Sequence, residues 1–122
     1  ANMCGSKSVT IVVSATAASP FPPTISDGTS VGSTEEGDEN LTTNVGSGYT
    51  VVIKMAGDIS SINNVYSTNG VNLFSSGPAR QSDGSWSGVI GALPKGTVET
   101  YSIDYTVGGN TYIQDPKIMI NS

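Results

Sequence analysis

The segment Val98 to Val107, VETYSIDYTV, constrains the fold more than any other stretch. Tyr101, Ile103, Tyr105 and Val107 fall on one side of an extended chain, and Thr100, Ser102, Asp104 and Thr106 on the other. A helix would scatter both sets around its axis, so the segment can bury its apolar side only as a strand with one wet face. Its neighbours extend the pattern. Asp83-Gly84 opens a run from Ser85 to Ile90 in which Trp86, Gly88 and Ile90 share a face, and Leu93-Pro94-Lys95-Gly96 turns the chain. Gly108-Gly109-Asn110 then closes a hairpin onto Thr111 to Gln114. Asp115-Pro116 ends or bends that strand, because proline has no N–H to give a ladder.

The earlier segments keep the same period. Ser8 to Ala15 sets Val9, Ile11 and Val13 against Thr10 and Val12 and reads as a first strand. Asn40 to Val45 and Tyr49 to Met55 read as the next two, the latter with Tyr49, Val51, Ile53 and Met55 opposite Thr50, Val52 and Lys54. Ile59 to Tyr66 adds another. Asn69-Gly70, a strong hairpin signal, predicts that Val71 to Phe74 pairs back on Val65 to Ser67. Ser75 to Ser82, punctuated by Gly77-Pro78, reads as loop, and Lys117 to Ile120 as a last strand. The expectation is a single all-β domain over 1–122, an immunoglobulin-like antiparallel β-sandwich of about seven to nine short strands. Two segments stand outside the pattern. A proline-rich arm (19–24, SPFPPT) excludes helix and ladder alike, and an acidic loop (26–40) carries Glu35, Glu36, Asp38 and Glu39 without apolar periodicity.

The order Asp-Gly-x-Trp, Leu-Pro-x-Gly, Tyr-x-Ile-x-Tyr-x-Val-x-Gly and Asp-Pro, over roughly the second half of the chain, resembles the early-set immunoglobulin-like domains beside amylases, branching enzymes and some esterases. The glycogen-binding modules are among them. The matching positions are turn and core residues, so the resemblance implies fold before function. A second similarity, Val-x-Ile-Val-Val near the start with Asp-Pro-x-Ile-x-Ile at the end, is to the small bacterial inclusion-body proteins of the AidA and PixA type.

Composition narrows the function. Charged residues make up 12% of the chain, against about 25% in an average soluble domain, so Ser, Thr, Asn and Gly keep its surface polar. That balance suits a β-rich extracellular or particle-surface protein. A net charge of -5 with only five scattered Lys and Arg argues against a nucleic-acid partner. Cys4 is the only cysteine, so an intrachain disulfide is impossible; the reading is an unpaired thiol, with pairing between chains as the alternative. No apolar run is long enough to span a membrane, and no basic-then-apolar leader is visible. Ala1 allows a complete, unsecreted product, and a leader already removed is the other expectation; Met3-Cys4-Gly5 makes a poor lipoprotein box. The expected place is a virion or extracellular particle surface, with the cytoplasm left open.

The chain has no histidine, which removes the commonest general base, imidazole metal ligands and every Ser-His-Asp or Cys-His arrangement. Asp58, Asp83, Asp104 and Asp115 fall at turns or on the wet strand face, where aspartate more often caps a turn than performs chemistry; spacing alone does not eliminate a glycosidase pair. The expectation is no enzyme, no cofactor and no metal. The acidic loop's clustered carboxylates invite a calcium reading, but without the spacing of an EF-hand loop it reads first as a solvated face or a surface for something basic. Asn40-Leu41-Thr42 is a formal glycosylation sequon.

Two functions remain. The first is a non-enzymatic structural or decorating module working in an assembly, with protein neighbours or further copies as partners. There the first strand acts as an edge and the arm as an anchor, through Val12, Phe21, Pro22 and Pro23. Modules of the resembled kind also occur on phage capsids and tails, so capsid decoration is one setting. The alternative is a carbohydrate-binding module with a glycan as partner. Glycogen-binding members stack glucose on two tryptophans backed by a lysine, whereas this chain has only Trp86, placed for packing. Tyr49, Tyr66 and Tyr112 are the candidate stacking platform.

Overall fold

The computed structural model describes residues 7–28, 31–32 and 42–121, with the backbone alone for 31 and 32. Cys4, Asn40 and Leu41 of the sequon, and the acidic residues Glu35, Glu36, Asp38 and Glu39 lie outside the described residues. The protein is all-β, with no helix among the described residues. Its strands are β1 (Ser8–Ala15), β2 (Thr24–Ser26), β3 (Val31–Gly32), β4 (Thr42–Val45), β5 (Thr50–Gly57), β6 (Ile59–Ser67), β7 (Phe74–Arg80), β8 (Trp86–Ile90), β9 (Val98–Val107), β10 (Asn110–Gln114) and β11 (Lys117–Ile120).

They form two sheets. One is six-stranded in the order β3-β2-β1-β5-β8-β7, and the other holds β10, β9, β11 and β4 with β6 on the far side of β9. The β5-β8-β7 and β6-β9-β11 arrangements have the B-E-D and C-F-G strand order of an immunoglobulin sandwich. Both sheets are mixed rather than purely antiparallel, because β1 runs parallel to β5 and β4 parallel to β11. β10 and β11 are one line: Gln114 opposes Ile103 and Lys117 opposes Thr100 in unbroken register. Asp115 and Pro116 interrupt the strand, yet the Pro116 carbonyl still accepts the Tyr101 N–H at 3.1 Å.

The alternation decides what is buried. Tyr101, Ile103, Tyr105 and Val107 of β9 face Ile11, Val13, Val51, Ile53 and Ile90 of the other sheet in one core cluster, and full burial of such a side chain contributes about 1.5–3 kcal/mol. Trp86 is half-buried against this cluster, and its indole Nε1 donates to the Ile62 carbonyl at 3.0 Å, joining β8 to β6 across the sandwich. It packs rather than presenting a stacking face.

Two expected features differ. Asn69-Gly70 makes no two-residue hairpin, because its neighbours cross between the sheets. The Asn69 side chain accepts the Val71 N–H and donates to the Val98 carbonyl, and Phe74 then pairs with Ile90 of the opposite sheet. The segment expected as loop around Gly77-Pro78 is instead strand β7 at a sheet edge. There a proline's missing N–H costs little, and two register shifts accommodate it.

Candidate interaction surfaces

The arm, expected to reach a neighbour, is bound to its own body. The Tyr105 hydroxyl donates to the Pro20 carbonyl at 2.7 Å. The Phe21 ring stacks on Tyr112 (centroids 6.4 Å apart, 14° between planes), and Tyr112 stacks on Tyr105 (5.6 Å, 29°). Pro23 is buried, and Phe21 and Pro22 are half-buried. Each aromatic pair contributes about 0.5–1.5 kcal/mol beyond its burial, so releasing Phe21 to an outside partner would forfeit the stack. Phe21, Pro22 and Pro23, expected to meet a neighbour, lie against this chain's own body just before β2.

β1 is flanked by β5 along its whole length and by β2 over Val12 to Ser14. Val12, however, points outward. It is half-buried opposite Ser26 on one side and Lys54 on the other. Val52 lies beside Thr10 and Ser87, and Val89 beside Thr50, so the three half-buried valines step diagonally across β1, β5 and β8. The remaining outward positions of those strands are Ser8, Thr10, Ser14, Thr50, Ala56 and Ser87, with Lys54 the one charged side chain among them. The face is broad, built of small side chains and almost uncharged.

The three tyrosines do not meet. Tyr66 stands opposite Ser102 on the outer face of the second sheet and is 38% exposed. Tyr112 stands opposite Tyr105 and points to the inner face. Tyr49 lies before β5, its ring 6.0 Å from the Lys7 ammonium, in an open cleft of about 190 Å³ lined with Asn44, Val45 and Asn121. They do not form the single platform expected of them, because Tyr66 has outward parity on β6, Tyr112 inward parity on β10, and Tyr49 lies ahead of β5.

The outer face of the second sheet carries chemistry the sequence left unremarked. Asn64, Asp104 and Ile113 form one row across β6, β9 and β10, and Tyr66 and Ser102 occupy the next. Ile113 is 48% exposed, and Asp104 Oδ1 is buried without a hydrogen-bond partner among the described residues. The Ser102 hydroxyl donates to Asp115. Strict alternation beyond Gly109 places Ile113 on the wet side, which was the available signal.

Polar groups also lie inside. Glu99 is 3% exposed, and its carboxylate accepts the Leu73 N–H at 2.8 Å; burial pushes its pKa up, with that hydrogen bond opposing. The Thr43 hydroxyl donates to Asp27 at 2.8 Å. The buried Tyr101 hydroxyl has no hydrogen-bond partner among the described residues, and burial, then Glu99 and Asp27, push its pKa well above the usual phenol value. Glu99 shares the odd-numbered parity of Tyr101 and Ile103, a signal of its inward position. Of Asp58, Asp83, Asp104 and Asp115, the first two serve turns. Asp58 accepts the Ala17 N–H at 2.8 Å, and Asp83 accepts the Ser85 hydroxyl and N–H, which hold its pKa low. Among the described residues, no three metal-ligating side chains of the His, Cys, Asp or Glu type converge.

Compared with known proteins, the chain matches no family model, and the curated proteins give no match either.

Proposed function

We propose that the chain is a non-enzymatic structural or decorating module that works inside an assembly and meets its neighbour through the outer face of the six-stranded sheet. One observation carries this reading: the diagonal of Val12, Val52 and Val89 set among hydroxyl and alanine side chains with only Lys54 charged. Small side chains on a sheet allow a second surface to approach to about 10 Å between backbones, and hydroxyls keep hydrogen-bonding partners at such a contact. The histidine-free, weakly charged composition supports the same reading, and a virion surface is the setting it suits. The strand order of the sandwich supports an early-set immunoglobulin-like assignment. The test is sedimentation of the native protein from a gently prepared source extract beside a Val52→Lys variant. The expected result is wild type travelling with large particles and the folded variant at the mass of one chain. Wild type sedimenting alone, or a variant that assembles normally, overturns the reading.

A carbohydrate-binding module is the second reading. It is favoured by the cleft in which the Tyr49 ring meets the Asn44 and Asn121 amides and the Lys7 ammonium, a combination that can stack a sugar ring and bind its hydroxyls. Glycan binding that survives Tyr49→Ala removes it.

A further inference from the structure

The outer face of the second sheet presents an unusual juxtaposition. Of the three exposed large apolar side chains among the described residues, two, Tyr66 and Ile113, stand on this face, on the strands either side of β9. Two strand spacings separate β6 from β10, about 10 Å, and the floor between them is Ser102 and Asp104. Asp104 Oδ1 is out of water there and accepts no hydrogen bond from the described residues. A carboxylate oxygen in that state is costly, and a donor from outside would relieve the cost. The torsion that turns a carboxylate about its Cβ–Cγ bond is soft, so either oxygen can be brought to a donor.

We propose that this slot receives an arginine side chain of a protein partner, its guanidinium donating to the Asp104 carboxylate and lying flat against the Tyr66 ring, with Ile113 against its methylene stem. Charge selects a cation. Asp115 adds a second carboxylate in the row beside Asp104, and the whole chain carries -5. Lys117, a further row along beside Thr100, already has an interaction of its own. Shape selects arginine over lysine. A planar fork can stack on a ring and engage a carboxylate through two N–H groups at once, whereas an ammonium is a point charge. The slot lies on the sheet face opposite the sandwich from the valine diagonal, so it does not rest on the assembly reading.

The experiment titrates the full chain with N-acetyl-arginine amide, N-acetyl-lysine amide and N-acetyl-glutamine amide, following backbone amide resonances. The expected result is shifts clustered at Tyr66, Ser102, Asp104 and Ile113, strongest for the arginine compound and weakest for the neutral glutamine one. Asp104→Asn should weaken arginine binding about tenfold, the worth of one charge-assisted hydrogen bond. Tyr66→Ser should erase the preference of arginine over lysine while leaving the spectrum of the core unchanged. Shifts spread evenly over Asp58, Asp83 and the other surface carboxylates overturn the proposal. So does arginine binding that is undiminished in both variants.

Discussion

The Tyr105 hydroxyl donates to the carbonyl of Pro20 at 2.7 Å, tying the middle of β9 to a residue 85 positions earlier. Through this bond and the stacked rings of Phe21 and Tyr112, a proline-rich segment that could have swung free becomes a fixed strap on the sandwich. Tyr105→Phe leaves the Pro20 carbonyl without that donor and should lower stability by about 1 kcal/mol. Phe21→Ser removes the outer ring and should cost more, about 1–3 kcal/mol. Urea unfolding of the isolated chain measures both. A Phe21→Ser chain with unchanged stability would return the ring to the role of an outward anchor.

Tyr101 lies four residues before Tyr105 on the same face of β9 and makes the opposite prediction. Its buried hydroxyl has no hydrogen-bond partner among the described residues, so Tyr101→Phe removes a desolvated group and leaves the packing intact. The variant should be as stable as wild type or more so, by up to about 1–3 kcal/mol. A clear loss of stability on thermal unfolding would mean the hydroxyl has a partner after all.

Burial, and then the neighbouring Tyr112, push the Tyr105 pKa up to about 12. In the folded chain the phenol therefore holds its proton more tightly than an unfolded tyrosine, whose pKa is about 10. The stabilisation from this group should be complete below pH 10 and disappear as pH rises through 12. Tyr101, raised further, adds to the same trend. Alkaline unfolding monitored by tyrosinate absorbance should be cooperative with loss of the sheet signal and flatter in Tyr105→Phe; tyrosines titrating normally in a folded chain would contradict this.

Glu99 gives an acid-side counterpart. Its raised pKa means that the folded state favours the protonated form, so its contribution is full below the unfolded carboxyl pKa and declines as pH rises through the folded value. Glu99→Gln keeps an oxygen for the Leu73 N–H without a buried charge. The variant should gain stability over wild type at pH 7 and match it near pH 4, a difference that paired thermal melts would show.

Gly88 is the tightest contact in the interior of β8. A Cβ placed there would lie 2.6 Å from the Phe74 ring and 2.7 Å from the Ser76 carbonyl. Gly88→Ala should destabilise by about 1–3 kcal/mol through overpacking. Adding Phe74→Leu should recover part of the loss, and the double variant's denaturation midpoint reads the coupling.

The strands were legible wherever alternation was clean. β1, β5, β8, β9 and β11 fall where period-two patterning puts them, because a half-buried strand must sort its side chains by face. Partnership was not legible. Nothing local to Asn69-Gly70 says that the chain leaves one sheet for the other, and nothing local to Phe21 says that its ring will find Tyr112, because both depend on contacts remote in sequence. The surfaces suffered most. Val12 is outward as its parity indicates, but its diagonal with Val52 and Val89 exists only once β1, β5 and β8 are aligned. Tyr49, Tyr66 and Tyr112 look alike in sequence and face three different environments, which only pairing register resolves.

The parallel pairing of β4 with β11 also sets an order of events in time. Residues 42–45 find their partner only at 117–120, so the second sheet cannot close until nearly the whole described chain is present. Such closure of distant segments is slow compared with hairpin formation. During synthesis β5 to β9 can begin to collapse while β4, whose pairing partner is β11, waits unpaired until β11 arrives. Amide exchange at Thr43 and Val45 should accordingly become protected late in refolding, after the β7–β8 hairpin.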